Sequence, residues 1–137
     1  MTKSPTIVTV SFGANGAIAD CPAFICPEGA EYELVEAIEN HRVAGSNSGT
    51  VSLDIVHCDS GEAIAAGVTA LATVFNLKAT ADTPLTRSTA SGLSTTRSAR
   101  VLQPGDRHDL DFQGTLTDLA GVCVTLVYVL RRQGVRR

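Results

Sequence analysis

Residues able to bind a metal ion are concentrated in two short segments of this chain. The segment HCD at residues 57–59 has a glutamate, Glu62, close behind it, and His108 follows a Pro-Gly-Asp turn at residues 104–106. Imidazole nitrogens, thiolates and carboxylate oxygens are the usual ligands of zinc and iron, and a tight transition-metal site takes three or four of them. Each segment contributes a single histidine, so the spacing falls short of a complete ligand set.

The run PGDRH at residues 104–108 resembles the second half-motif of the cupins, which are metal-binding jelly rolls with a Pro-x-Gly-x-x-His signature. It is one residue short of that signature. The first cupin half-motif, His-x-His followed by a glutamate, would have to lie at residues 57–62, where the second histidine is missing. A cupin-like metalloenzyme is therefore not favoured. We predict instead that His108 is a turn or rim residue, solvated or bonded to Asp106 or Asp109.

The other reactive residues form no catalytic pattern. A structural zinc site needs two close pairs of ligands, whereas the four cysteines are irregularly spaced, at Cys21, Cys26, Cys58 and Cys123. We predict that they are free thiols that serve as small core residues, in a chain folded in a reducing compartment. The sequence contains no Gly-x-Ser-x-Gly elbow and no phosphate-binding loop. It predicts no catalytic residue, no metal and no cofactor, and hence a protein that is not an enzyme.

Charge is distributed unevenly along the chain. The net charge is -3, but the segment RRQGVRR at residues 131–137 holds four arginines and no acid, and removing those four charges leaves -7 on residues 1–130. A basic segment on an acidic body predicts either electrostatic docking on an acidic surface or a solvated tail that aids solubility. Nucleic acid is not the expected partner, because Tyr128 is the only aromatic residue near these arginines.

No membrane partner is expected either. The longest apolar run, residues 122–130, has the length of one buried strand rather than of a membrane span. The first five residues are too polar for a secretory signal peptide.

Strand patterns dominate the chain and predict its fold class. Short β-branched or alternating runs, separated by turns that contain Gly or Pro, lie at residues 6–11, 50–58, 73–80, 100–102, 109–113 and 121–132. Residues 20–26 are predicted to form a short edge strand or an irregular one. Residues 32–43 are predicted to form a strand in a hairpin with the next one, and residues 82–98 a long loop.

These elements predict an all-β protein. We expect a single-domain β-sandwich or jelly roll over residues 1–137, with about eight antiparallel strands and at most a short helical turn near residues 62–72. A short N-terminal arm (1–5) and a basic C-terminal tail (131–137) are expected to flank the sandwich.

Two blocks of the sequence carry a resemblance to a known family. Residues 41–84 read HRVAGSNSGTVSLDIVHCDSGEAIAAGVTALATVFNLKATADTP, and residues 102–130 read LQPGDRHDLDFQGTLTDLAGVCVTLVYVL. In order and spacing they resemble a family of small structural proteins of tailed bacteriophages, over about residues 6–131. The residue after Gly-Asp-Arg is usually aliphatic in that family, whereas here it is His108.

The resemblance implies a jelly-roll cement (decoration) protein that binds outside the capsid shell and clamps neighbouring capsid subunits together. The implied partners are the major capsid protein and copies of this chain, as a dimer or trimer. The implied location is the outer capsid surface of the virion, after synthesis in the host bacterial cytoplasm. Two alternatives stay open: another virion component, such as a head fibre base, a neck protein or a tail protein, and a jelly-roll module that binds glycans through the 82–98 loop.

Basic residues at the chain ends and in the 82–98 loop are the predicted partner contacts, because an acidic partner surface would attract them. They are Lys3, Arg87, Arg97, Arg131, Arg132, Arg136 and Arg137.

Overall fold

The computed structural model describes residues 4–135, which form two antiparallel β-sheets and almost no helix. The ten strands are β1 (Thr6–Ser11), β2 (Cys21–Ile25), β3 (Gly29–Asn40), β4 (Ser52–Cys58), β5 (Val68–Thr69), β6 (Phe75–Asn76), β7 (Leu85–Ser88), β8 (Val101–Leu102), β9 (Arg107–Gln113) and β10 (Cys123–Val135). One helical turn, α1 (Arg97–Arg100), precedes β8, and 3-10 turns lie at Asn15–Ala17 and Ile64–Ala66. The predicted all-β sandwich is confirmed, with ten strands rather than about eight. Among the described residues no helix is long and apolar enough to cross a membrane.

The strand order is jelly-roll-like, because strands from opposite ends of the chain pair in each sheet. The first sheet has the order β1-β10-β3-β7, with β8 also paired to β3, and the second has the order β2-β9-β4-β5, with β6 also paired to β4. The long strand β10 thus lies between β1 and β3, as its apolar sequence predicts. The edge position predicted for β2 is also correct: within residues 4–135 it pairs with β9 alone, and the pairing is irregular after Pro22.

The core fills the space between the two sheets. Alternate residues of the central strands face it, and the fully buried side chains include Leu34, Leu126 and Tyr128 from the first sheet and Leu53, Ile55 and Leu110 from the second. Burying this much branched apolar surface is the main driving force for the fold.

A β-bulge in β3 decides which residues of that strand reach the outside. The pairing of β3 with β10 shifts between Val127 and Tyr128, so that Leu34 and Ala37 both face the core although they are three residues apart. Beyond the shift, Glu33 and Glu31 point to the outer face of the first sheet. Tyr32 and Leu34, which alternate with them along β3, point to the core.

Several predicted boundaries need correction. Residues 32–43 do not form a hairpin with the next strand, because β3 and β4 belong to different sheets and the intervening loop crosses between them. The 82–98 loop contains β7, which pairs with β3, and the start of α1. The predicted strand at residues 73–80 is reduced to β6.

The predicted tail is also shorter than expected. Residues 131–135 belong to β10, where Arg132 lies opposite Glu31 and Gln133 opposite Ala30. Of the residues assigned to the N-terminal arm, the structure describes residues 4 and 5.

Candidate interaction surface

Four arginines converge on two glutamates at one end of the outer face of the first sheet, and we call this group the arginine cluster. β3 supplies the glutamates, β10 supplies two of the arginines, and α1 supplies the other two. The residues are Glu31, Glu33, Arg97, Arg100, Arg131 and Arg132.

Glu33 is the centre of the arginine cluster. Its carboxylate accepts hydrogen bonds from Arg100 Nη1 at 2.5 Å, from Arg131 Nη1 at 2.6 Å and from Arg97 Nη2 at 3.3 Å. Glu33 is buried, so these bonds are formed in a medium that screens charge less than water does. Arg100 is held a second time, because its Nε donates to the carbonyl of Ser94 at 2.9 Å.

Glu31 forms the second anchor of the cluster. Arg132 Nη2 donates to Glu31 Oε1 at 2.8 Å, and the side-chain amide of Gln103 also donates to this carboxylate. Arg131 Nε lies 3.7 Å from the same carboxylate. The hydrogen bond from Arg132 is the main reason that the pKa of Glu31 is lowered, and it raises the pKa of Arg132 in return. The carboxylate of Glu31 therefore keeps its negative charge to a lower pH than an ordinary glutamate does.

The cluster carries two positive charges that its own glutamates do not balance. Four guanidinium groups face two carboxylates, and the side chains of Arg97 and Arg132 remain 55% and 63% exposed. Guanidinium groups fixed in position with free donors are suited to carboxylates on a partner surface. A shallow pocket beside them is lined by Glu31, Arg97, Ser98, Val101 and Arg131.

The rest of the outer face of the first sheet is poor in charge. Cross-strand rows place Ile7 beside Val127 and Glu36, and Thr9 beside Thr125 and Ile38, and all of these side chains are at least partly exposed. Ile7 is 62% exposed. A weakly charged sheet face bordered by arginines has the composition of a protein–protein interface.

The predicted contact residues fall into three groups. Arg97, Arg131 and Arg132 come together in the arginine cluster. Arg87 lies elsewhere: its Nε donates to the carbonyl of Thr73 at 2.8 Å, and its guanidinium lies 4.8 Å from the ring centre of Phe75. Arg87 therefore ties β7 to the β5–β6 connection. Lys3, Arg136 and Arg137 lie outside the described residues.

Sequence reasoning missed Arg100, Glu31 and Glu33. The signal for the glutamates was present, because polar residues at 31 and 33 alternate with the apolar Tyr32 and Leu34. No sequence spacing links them to Arg100, which is 67 residues away from Glu33.

His108 is not a turn or rim residue, and that prediction is wrong. It is fully buried in β9, on the face that also carries Leu110. Its Nε2 donates to the carbonyl of Ala99 at 3.0 Å, so its Nδ1 is unprotonated and accepts a hydrogen bond from the hydroxyl of Tyr128 at 2.7 Å. Burial lowers the pKa of His108 to about 4. His108 is a neutral core residue with both nitrogens satisfied.

The two segments that suggested a metal ligand set do meet in space, but through different residues. β4 and β9 place His57 directly opposite His108. His108 is engaged with Tyr128 and Ala99, and Glu62 accepts a hydrogen bond from the backbone of Asp59. Within residues 4–135, the ligand atoms that converge are those of His57, Asp59 and Asp106. The four cysteines, all within the described residues, are not joined in disulfides, and Cys26 and Cys58 are buried as predicted, whereas Cys21 and Cys123 are partly exposed.

Fold and surface together define a β-sandwich of jelly-roll-like strand order that carries an arginine-rich surface. No protein-family model matches this chain, and neither does any curated protein. The resemblance to bacteriophage structural proteins therefore remains a prediction.

Proposed function

We propose that this protein is a structural component of a phage virion that binds the outer surface of the capsid and cements neighbouring major capsid subunits. The observation that carries the proposal is the arginine cluster, where three of the predicted contact residues, Arg97 from α1 and Arg131 and Arg132 from β10, are paired with the same two glutamates of β3. The cluster belongs to an otherwise acidic body, so it directs this face of the sandwich toward an acidic partner.

The surface around the cluster is suited to cementing, which requires contact area rather than chemistry. The outer face of the first sheet offers β-branched side chains such as Ile7, Thr9 and Thr125, with the arginines at its border. A capsid presents the same site many times. Contacts that are weak one by one give high avidity when an oligomer makes several of them together. Self-association into a dimer or trimer would add this multivalency.

Neutralising two exposed arginines of the cluster tests the proposal. The double variant Arg97→Gln/Arg132→Gln removes two charges but leaves Arg100 and Arg131 on the buried glutamates. We expect capsid affinity, measured by co-sedimentation with capsids stripped of the protein, to fall by about tenfold, because two charge-assisted contacts are lost. Binding of the wild-type protein should also weaken as salt is raised.

A matched control separates the local effect from the change in net charge. The variant Arg42→Gln/Lys78→Gln also removes two positive charges, but from exposed positions outside the arginine cluster. It should bind capsids as the wild-type protein does and should restore their resistance to heat. Equal loss of affinity in the two double variants would contradict a specific role for the cluster, and unchanged heat resistance of decorated capsids would contradict cementing.

A further inference from the structure

Three ligand atoms converge where the turn after β4 meets the turn before β9. The Nε2 atom of His57 lies 3.3 Å from Asp59 Oδ1 and 3.3 Å from Asp106 Oδ2, and all three atoms lie within 4.8 Å of one another. The two turns are in contact at this point, because a Cβ added at Gly105 would lie 3.6 Å from the side chain of Ser60.

The two separations measured from His57 Nε2 are those of ligands around one ion. Donor atoms that each lie about 2.0–2.1 Å from a tetrahedral ion are separated from one another by about 3.3 Å. A single Nε2 proton is at best shared between the two carboxylates in a weak three-centre bond, whereas one ion can accept electron pairs from all three atoms. Asp106 and His57 are 3% and 12% exposed, and Asp59 is 63% exposed, so two ligands are fixed in the protein and the third faces solvent.

We propose that His57, Asp59 and Asp106 bind a divalent transition ion, for which Zn²⁺ is the best match, and that this ion ties the two turns together. One nitrogen and two carboxylate oxygens suit zinc and its neighbours, whereas Ca²⁺ requires six to eight oxygen ligands. Water completes the coordination on the open side of Asp59. The inference concerns the purified chain and does not depend on capsid binding.

Two local features limit the affinity. The Nδ1 atom of His57 is buried without a hydrogen-bond partner among the described residues, whereas most metal-binding histidines donate that proton to an acceptor. The second feature is the guanidinium of Arg107, which lies close by because it donates to the carbonyls of Asp59 and Glu62. Its positive charge repels a cation at this site. Lack of a second-shell acceptor typically costs about tenfold to a hundredfold in affinity, so we expect zinc to be bound more weakly here, by about that factor, than at a site with a complete second shell. Binding should weaken as the solution is made more acidic, because a protonated imidazole cannot bind the ion.

The experiment is a calorimetric titration of untagged, chelator-treated protein with zinc. Thermal unfolding is then measured with and without zinc. The wild-type protein should bind one equivalent of Zn²⁺ and unfold at a higher temperature when zinc is present, while Ca²⁺ should have no effect. Replacing zinc with Co²⁺ should give the visible absorption bands of a coordinated ion. The variant Asp59→Asn changes an exposed side chain, so it should remain folded and bind zinc at least tenfold more weakly.

Asp82→Asn is the matched control, because Asp82 is an exposed aspartate outside the group and should bind zinc like the wild type. Both variants keep all four cysteines, so zinc held by thiols would appear equally in each of them. Absence of stoichiometric binding in the wild type, or binding by Asp59→Asn within tenfold of the wild type, would overturn the proposal.

Discussion

Replacing His108 with leucine is expected to lower the free energy of unfolding by about 3 kcal/mol at neutral pH, because two buried polar groups lose their partners. The Tyr128 hydroxyl loses its acceptor and the Ala99 carbonyl loses its donor, and neither has access to solvent at that position. Chemical denaturation at pH 7 measures the difference between wild type and variant.

The same substitution should also change how stability depends on pH. The folded protein holds the pKa of His108 at about 4, below its ordinary value of 6.5, so the unfolded chain binds this proton more readily. Wild-type stability should therefore fall as pH decreases from 6.5 to 4, by about 3 kcal/mol from this residue alone. The leucine variant lacks this dependence, and the gap between the two proteins should nearly close at pH 4.

Tyr128→Phe is the control for this prediction. It removes the hydroxyl but keeps the buried imidazole, so it should lose some stability at pH 7 and still show the steep loss below pH 6.5. A wild-type stability that stays parallel to that of the leucine variant between pH 7 and pH 4 would contradict a neutral, buried His108.

Gly114→Ala is expected to lower the free energy of unfolding by about 3 kcal/mol or more, or to prevent folding, because the new methyl group has no space. Gly114 has a φ of 92°, and a Cβ at this position would lie 2.0 Å from the carbonyl oxygen of Thr50. That oxygen belongs to the backbone immediately before β4, which cannot move away without disturbing the central strand of the second sheet.

Gly105→Ala separates the steric clash from the unfavourable dihedral angle. Gly105 has a similar φ of 88°, but the nearest atom to an added Cβ lies 3.6 Å away, at an ordinary contact distance. This variant should lose only about 1–2 kcal/mol, the cost of the left-handed conformation. Thermal and chemical unfolding of the two variants measure the difference, and equal losses would show that the approach of Gly114 to Thr50 is not a tight one.

Alternation of apolar and polar residues was enough to predict the β-sandwich and its long central strand. The run at residues 51–58 and the apolar run in β10 match strands whose buried residues fill the core. The turn at Pro104-Gly105-Asp106 was also predictable, since Gly105 adopts the positive φ that such a turn requires.

Pairing between distant strands was beyond a local sequence pattern. Whether β3 pairs with β4 or with β10 depends on which sheet each strand joins, and a loop of eleven or so residues permits either choice. For the same reason the meeting of Glu33 with Arg100 and of His57 with Asp106 was not predicted.

His108 illustrates a different kind of error. His108 lies two residues before Leu110 on β9, so the two side chains face the same side of the strand, and alternation alone places His108 in the core. His108 was predicted to be exposed because histidine is polar. A neutral imidazole is nevertheless stable in a core when both of its nitrogens are hydrogen-bonded, as they are here.

The central claim, that the arginine cluster attaches this protein to the outside of a capsid, is tested most directly by a three-dimensional image reconstruction of the phage particle. We expect hundreds of copies on the outer shell, with Arg97, Arg131 and Arg132 facing acidic residues of the major capsid protein. A dozen or fewer copies at the neck or tail, or copies on the shell whose arginine cluster faces away from it, would contradict this account.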